Sequence, residues 1–175
     1  MKYYHIDTDS EHRRSFRSMR VGETIEIGEK FNPIYSNWSN SATRMRDGVT
    51  TRDIIMSYTI MLRESVFENI RLTKFPTRPS RARCIWLCES EAQAEYWFNR
   101  LPHTGTKRLL EIETYSGSIH KAFEQHLTNV PENIAELERR AVEYWSGSGS
   151  GICEILFTGI ISVSREIKIS QRPDG

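Results

Sequence analysis

The stretch between Thr51 and Cys88 restricts the fold most, because it joins a long helical pattern to a core strand through a turn that two prolines fix. From Thr51 to Leu72, apolar residues recur at helical spacing and predict one helix with an inward stripe. The stripe consists of Ile55, Tyr58 or Thr59, Leu62, Val66 and Ile70, and the charged residues Arg63, Glu64, Glu68 and Arg71 lie largely off it. Pro76 and Pro79 end the helix, and the apolar run Cys84–Cys88 is typical of a buried strand. A core strand is therefore expected directly after a basic turn.

The remaining segments alternate between strand and helix patterns. Strand patterns cover residues 2–6, 21–27, 107–114, 152–158 and 160–169, the last two separated by Gly159. Ser90 and Gln93 form a capping box that predicts a helix over 91–101, and Pro131 stands where a first helical residue belongs, before the stripe Ile134, Leu137, Ala141 and Tyr144 or Trp145. This order predicts an α+β fold with small sheets, and 175 residues fit a single domain spanning 1–175.

Composition excludes several classes of protein. A hydrophobic content of 38% and a charged content of 27% suit a globular chain and argue against wholesale disorder. No apolar run approaches a membrane span, and no secretory signal is recognisable, so a cytoplasmic protein without membrane contact is expected. The spacing of Cys84 and Cys88 in a β-rich stretch disfavours a shared metal, and no metal site is predicted.

Basic residues concentrate in the middle of the chain. Between residues 71 and 83 there are five basic side chains and no acidic one: Arg71, Lys74, Arg78, Arg81 and Arg83. Such a segment either meets a phosphate-bearing ligand or forms a solvated face that pairs with glutamates elsewhere.

Glu154 interrupts the apolar strand Ile-Cys-Glu-Ile-Leu-Phe. Simple alternation points its carboxylate to water, with Cys153, Ile155 and Phe157 facing inward. Leu156 shares the face of Glu154, however, and favours a buried carboxylate that needs a partner or a function.

Four further positions admit two interpretations each. Arg81, fixed behind Pro79 and Ser80, suits either a pyrophosphate or carboxylate ligand or a salt bridge. His5, beside Tyr3 and Tyr4, suits either a ribose hydroxyl or the core. Tyr144 and Trp145, which precede the glycine-rich stretch 146–151, suit either packing or the wall of a pocket.

Walker, dinucleotide-binding, hydrolase and kinase motifs are missing, but these positions together resemble the ADP-ribosyltransferase superfamily. His5, Ser80 with Arg81, and Glu154 match its site residues in order and element. The motifs Pro79-Ser80-Arg81…Cys84, Tyr144-Trp145-x-Gly147 and Glu154-Ile155-Leu156-Phe157-x-Gly159 also resemble an uncharacterised bacterial and phage family of this fold. The resemblance implies a split β-sheet core with flanking helices.

The resemblance also implies NAD as the donor substrate, without a metal. Glu154 would stabilise the oxocarbenium-like state at the ribose, and Arg81 would neutralise the pyrophosphate. The remaining implied NAD contacts are Tyr4, His5, Ser80, Tyr144 and Trp145. Because Ile152 stands where members that modify protein arginine carry Glu or Gln, the sequence is nearer to the DarT-like DNA toxins and CmdT-like RNA toxins.

Three functions therefore stay open at this point. The first is NAD-dependent transfer of ADP-ribose to RNA or DNA, with single strands preferred, by the toxin of an anti-phage toxin and antitoxin pair. Its expected nucleic-acid contacts are Arg71, Lys74, Arg78 and Arg83. The second is a non-enzymatic module that binds a nucleotide or nucleic acid, and the third is transfer of ADP-ribose to a protein side chain.

Overall fold

Two long antiparallel strands form the centre of the computed structural model, which describes residues 1–9, 18–40, 48–101 and 105–168. In chain order the strands are β1 (Lys2–Thr8), β2 (Thr24–Ile27), β3 (Ile85–Leu87), β4 (Lys107–Phe123) and β5 (Cys153–Ile167). The helices are α1 (Pro33–Asn40), α2 (Thr51–Lys74), α3 (Glu91–Arg100) and α4 (Ile134–Ser146), and a 3₁₀ turn covers Glu124–His126. These elements confirm the α+β class. No helix in the described ranges is both long and apolar enough to cross a membrane.

The strands form one antiparallel sheet that curves back on itself. Its order is β1-β4-β5-β2, and β3 pairs with β5 beside β2. Reciprocal main-chain hydrogen bonds of 3.0 and 2.8 Å join Tyr4 of β1 to Cys88 behind β3. The strands β1, β4, β5 and β3 therefore form a closed circuit of neighbours.

The curvature gives the sheet an inner and an outer face. The inner face carries an apolar cluster that includes Leu110, Ile112, Ile155 and Phe157. The outer face is covered by helices: α2 and α4 pack over Leu156, and α3 packs over Leu109. Since side chains alternate along a strand, successive residues of β5 point in turn to the inner core and to the helices on the outer face.

The inward stripe predicted for α2 is wrong over its first half. Ile55, Tyr58 and Leu62 are exposed, and only Ile70 of the predicted stripe is fully buried. The buried face of α2 instead consists of Arg63, Glu64, Phe67, Ile70 and Arg71. This exchange is possible because the two arginines and the glutamate find charged or polar partners, which offset the cost of burying them.

The strand ends also differ from the sequence expectations. β4 continues from residue 114 to Phe123, and β5 runs without a break through Gly159, because β-bulges absorb the irregularities that suggested turns. The predicted strand over 21–27 is restricted to Thr24–Ile27. Pro131 lies outside α4, whose cap is Asn133, and the 146–151 stretch begins as a helix cap with Gly147 at φ +78°.

Gly117 and Gly159 allow β4 and β5 to bend together. They are opposite each other, with φ +152° and +133°, and a Cβ atom built on either would lie 2.0 Å from a carbonyl oxygen of the facing strand. Only residues without a side chain fit this crossing, and it lies directly beside the turn formed by Pro76–Ser80.

We expect Gly159→Ala to lower the free energy of unfolding by about 2–6 kcal/mol, because it combines a strained backbone with a clash against Ser116. Gly22→Ala is the matched control: φ is +83° there, but no atom lies within 4 Å of the added Cβ, so only the backbone strain remains. Urea unfolding of both variants measures the difference. Equal losses of stability would contradict the close approach of the two strands.

Candidate functional site

Arg81 occupies the centre of a buried network of charges between α2 and the outer face of the sheet. Its Nε donates to Glu64 Oε2 at 2.7 Å, and its Nη1 donates to both Glu154 Oε1 and the Tyr144 hydroxyl. The side chain is only 6% exposed. A tight turn holds the backbone, in which Asn32 Nδ2 donates to the Arg81 carbonyl at 2.7 Å and Cys84 N donates to Ser80 O at 2.9 Å.

Glu64 anchors this arginine from α2. It also accepts from Arg63 Nη2 at 2.7 Å and from the Tyr35 hydroxyl of α1. Burial by itself would raise the pKa of Glu64, but Arg81, Arg63 and the hydrogen bonds from Arg81 and Tyr35 outweigh it and lower the pKa to about 2. The network is thus built for an ionised Glu64 that receives donors from three sides.

Glu154 approaches Arg81 from β5. It lies opposite Ala122 and on the face of Leu156, beneath the helices, so the solvent-facing alternative for Glu154 is wrong. Its hydrogen bonds from Arg81 and Tyr144 both end on Oε1. Within the described part of the chain no donor reaches Oε2, and the side chain keeps 14% exposure. One oxygen of Glu154 is therefore fixed by two donors, while the other accepts no hydrogen bond from the described residues.

Tyr144 completes the support of Glu154 from α4. The residue is fully buried, and its ring contacts Phe67 and lies beneath the Arg81 guanidinium at 5.1 Å. Burial, followed by the nearby Glu154, raises the pKa of Tyr144 well above its usual value, against the lowering effect of Arg81. The hydroxyl consequently keeps its proton and donates a hydrogen bond to Glu154 Oε1.

An open depression of about 480 Å³ lies further along the same face of the sheet. We call it the proline-turn depression, because Pro76, Arg78, Pro79 and Ser80 form one wall. Its other lining residues include Glu26, Gly28, Glu29, Arg83, Ser118 and Thr158. Thr158 lies on the face of Glu154 four residues along β5, a separation of about 13 Å at ~3.3 Å per residue.

The structure separates three predicted NAD contacts from this site. His5 lies opposite Leu110 on the inner face, where its Nδ1 is 2.9 Å from Trp86 O, so the sheet stands between His5 and Glu154. Tyr4 packs against α3. Trp145 is fully buried and donates through Nε1 to Phe67 O at 2.8 Å, which fits the packing interpretation. The convergence of His5 and Glu154 that one NAD site requires is therefore wrong, because the partner of His5 belongs to the inner cluster and the partner of Glu154 to the outer one.

The predicted basic segment divides into buried and open residues. Arg71 is buried and donates to Glu68 at 3.0 and 2.9 Å and to Arg78 O at 3.0 Å, so it supports the turn and does not reach a ligand. Lys74 is exposed, while Arg78 and Arg83 line the proline-turn depression. Ser80 also lines it, with its hydroxyl donated to Glu68 at 2.8 Å.

Sequence reasoning missed Glu64, Tyr35 and His120. The sequence did carry a signal for Glu64, because Glu64, Phe67 and Arg71 are three and four residues apart and so share one face of a helix. That face differs from the apolar stripe on which the prediction was based. His120 stacks on Trp145 at 5.4 Å, and burial lowers its pKa to about 4, so it is neutral near pH 7. Among the residues that the structure describes, no group of three His, Cys, Asp or Glu side chains is arranged to hold a metal.

We expect Glu64→Gln to lower the free energy of unfolding by about 3–5 kcal/mol at pH 7, because Arg81 and Arg63 then lose a buried counter-charge. The folded-state pKa of Glu64 is depressed, so its contribution is present above pH 4.5 and is lost as the pH falls towards 2. The gap between the wild type and the variant should narrow over that interval. Denaturant unfolding at several pH values measures it, with the exposed Glu138→Gln as control. A constant gap would contradict the ionised network.

Comparison with known proteins places the chain in a family without an assigned activity. No curated protein was found to match it. A family model described as "Protein of unknown function (DUF2441)" matches residues 3–169, a range that includes Arg81, Tyr144, Glu154 and the proline-turn depression. The chain therefore belongs to the DUF2441 family.

Proposed function

We propose that the protein is an NAD-dependent ADP-ribosyltransferase that modifies a nucleic acid. The observation that carries this proposal is the half-held carboxylate of Glu154, whose Oε1 is fixed by Arg81 and Tyr144 while Oε2 is left open. A carboxylate of this kind suits a reaction in which positive charge develops on a ribose. A carboxylate whose role is only to neutralise an arginine frequently accepts hydrogen bonds with both of its oxygens.

The proposed reaction breaks the bond between the ribose C1′ and the nicotinamide nitrogen. The electron pair of this bond leaves with nicotinamide, and Glu154 stabilises the resulting oxocarbenium-like ribose. An oxygen or nitrogen of the acceptor then bonds to C1′ and loses its proton. Arg81 is a positioning residue in this scheme, since its donors are engaged by Glu64, Glu154 and Tyr144 and are not directed at a diphosphate.

Nucleic acid is the favoured acceptor because basic residues lie on the same face of the sheet as Glu154. Arg78 and Arg83 line the depression on the same face of the sheet, and exposed Lys74 precedes them on α2. Phosphate groups that bind there would place a neighbouring nucleotide within reach of Glu154, about 13 Å away along β5. Single strands suit this arrangement best, because an unpaired nucleotide reaches the site without the cost of unstacking.

The proposal includes the finer fold and a cellular role. The closed sheet with helices on its outer face is compatible with the split-sheet core of the ADP-ribosyltransferase superfamily. By the same resemblance the protein would be a cytoplasmic toxin used against phage and would be held in check by an antitoxin protein. A non-enzymatic nucleotide-binding module and a transferase that modifies protein side chains are the competing outcomes of the tests below.

We expect Glu154→Gln to reduce nicotinamide release from NAD by at least about 100-fold, because the charge at the ribose is lost while the volume is kept. Nicotinamide is measured by chromatography, and circular dichroism checks folding. Glu138→Gln, an exposed change of the same kind on α4, should keep full activity. Equal nicotinamide release by the Glu154→Gln variant and the wild type would remove Glu154 from the mechanism, and no release by the wild type would favour a binding module.

The charge reversals Lys74→Glu and Arg78→Glu should each reduce label transfer from NAD to an oligonucleotide by about 10-fold or more at physiological salt, because phosphate contacts are lost. Nicotinamide release without an acceptor should change much less. Arg52→Glu is the matched control, since Arg52 is exposed at the far end of α2. Transfer that is indifferent to the first two reversals would contradict a nucleic-acid contact at the depression.

A further inference from the structure

We propose that the proline-turn depression binds one unpaired nucleotide of the acceptor strand and selects guanine as its base. This inference rests on the proposed function only for the identity of the strand, since the site itself can be tested without NAD. The proposed function requires only that this surface attracts phosphate groups, and the inference adds a preference for one base.

The depression has a floor and two unlike walls. Ser118 and Thr158 are paired on the outer face and form the floor, and Glu26 lies opposite Ile160 and so projects on that same face. Pro76 and Pro79 line one wall, and Glu29 and Arg83, which are joined by a hydrogen bond, line the other. Gly28 lies beside Thr158, where an added Cβ would come within 3.3 Å of the threonine Cβ, so the floor is kept open by the absence of a side chain. A volume of about 480 Å³ is within the range of pockets that hold small ligands.

The charges around the depression are mixed. Arg78 and Arg83 supply guanidinium groups, whereas Glu26 and Glu29 supply carboxylates. A site for phosphate alone gains nothing from carboxylates, because they repel the anion. A nucleotide with a base that presents both donors and acceptors uses groups of both signs.

Guanine fits this combination best. Its O6 and N7 accept from an arginine, which is the commonest specific contact of an arginine with a base, and its N1–H and N2–H groups donate to a carboxylate. Arg83 lies against the Phe31 ring at 5.1 Å, and its Nη1 donates to Glu29 O at 2.6 Å, three residues after Glu26. Its other donors form no hydrogen bond with the described residues, so we assign Arg83 to the base. Arg78, on the opposite wall, then meets the phosphate.

The proline wall and the rigid turn lower the cost of binding. Pro79 is buried, and Ser118 Oγ donates to Thr77 O at 3.0 Å, which ties the turn to β4. Arg71 holds the same turn through Arg78 O at 3.0 Å. Since the wall is fixed before a ligand arrives, little ordering is required when a base lies against the proline rings.

The test is a titration of the full chain with guanosine, adenosine, cytidine and uridine monophosphates. Binding is monitored by the nuclear magnetic resonance shifts of the amides of Gly28, Gly117 and Gly159. Inorganic phosphate is titrated as a separate probe. We expect guanosine monophosphate to bind about 10-fold more tightly than the other three nucleotides, and all four to bind more tightly than phosphate. Glu26→Gln should remove most of the preference for guanosine monophosphate and change the affinity for adenosine monophosphate little. Arg78→Ala should weaken all four nucleotides by similar factors, and Glu138→Gln should change none.

Equal affinities for the four nucleotides, or phosphate binding as tight as that of guanosine monophosphate, would overturn the proposal, as would the absence of shifts at the three glycines. The result can be separated from the proposed enzymatic function, because Glu154→Gln should keep the guanine preference. A preference for guanosine monophosphate in a protein that does not cleave NAD would uphold the nucleotide site and reject the transferase. Cleavage of NAD by a protein with no base preference would do the reverse.

Discussion

The buried guanidinium of Arg81 is the constraint on which the site depends. A charge that is 6% exposed has to be matched within the protein, and here two carboxylates from different elements share it: Glu64 from α2 and Glu154 from β5. Removal of either carboxylate leaves Arg81 with one counter-charge. The arginine thereby links α2 to the central strand β5 through two buried ion pairs.

The same constraint underlies the role that we propose for Glu154. Arg81 and Tyr144 both act on Oε1, and the proton that burial retains on Tyr144 makes it a donor. The carboxylate is therefore oriented before any ligand binds, as preorganised electrostatic catalysis requires. Gly117 and Gly159 line the proline-turn depression on the same face, so that the charged site and a recess of about 480 Å³ share β5.

Sequence reasoning predicted much of the element order, and the resemblance assigned Arg81, Tyr144 and Glu154 to one site, although not to direct contact with one another. Leu156 was the decisive clue, because an apolar residue two positions from Glu154 indicated that their shared face is covered. The buried face of α2 was predicted wrongly, because the periodicity method counts only apolar residues. It cannot anticipate that Arg63, Glu64 and Arg71 find charged partners in the interior. His5 was grouped with Glu154 by resemblance, whereas the pairing of His5 with Leu110 puts it on the other face. The register between distant strands cannot be predicted from local sequence patterns. The sequence therefore could not show that His5 and Glu154 lie on opposite faces of the sheet.

The proposed function is a reaction of NAD with a nucleic acid at the open oxygen of Glu154. It is tested most directly by incubating the protein with NAD labelled in its adenosine part and with separate pools of single-stranded RNA, single-stranded DNA, duplex and bulk protein. We expect label in a single-stranded nucleic acid pool, and no label in any pool with Glu154→Gln. Label confined to protein would contradict the acceptor, and label in no pool would contradict the transferase itself.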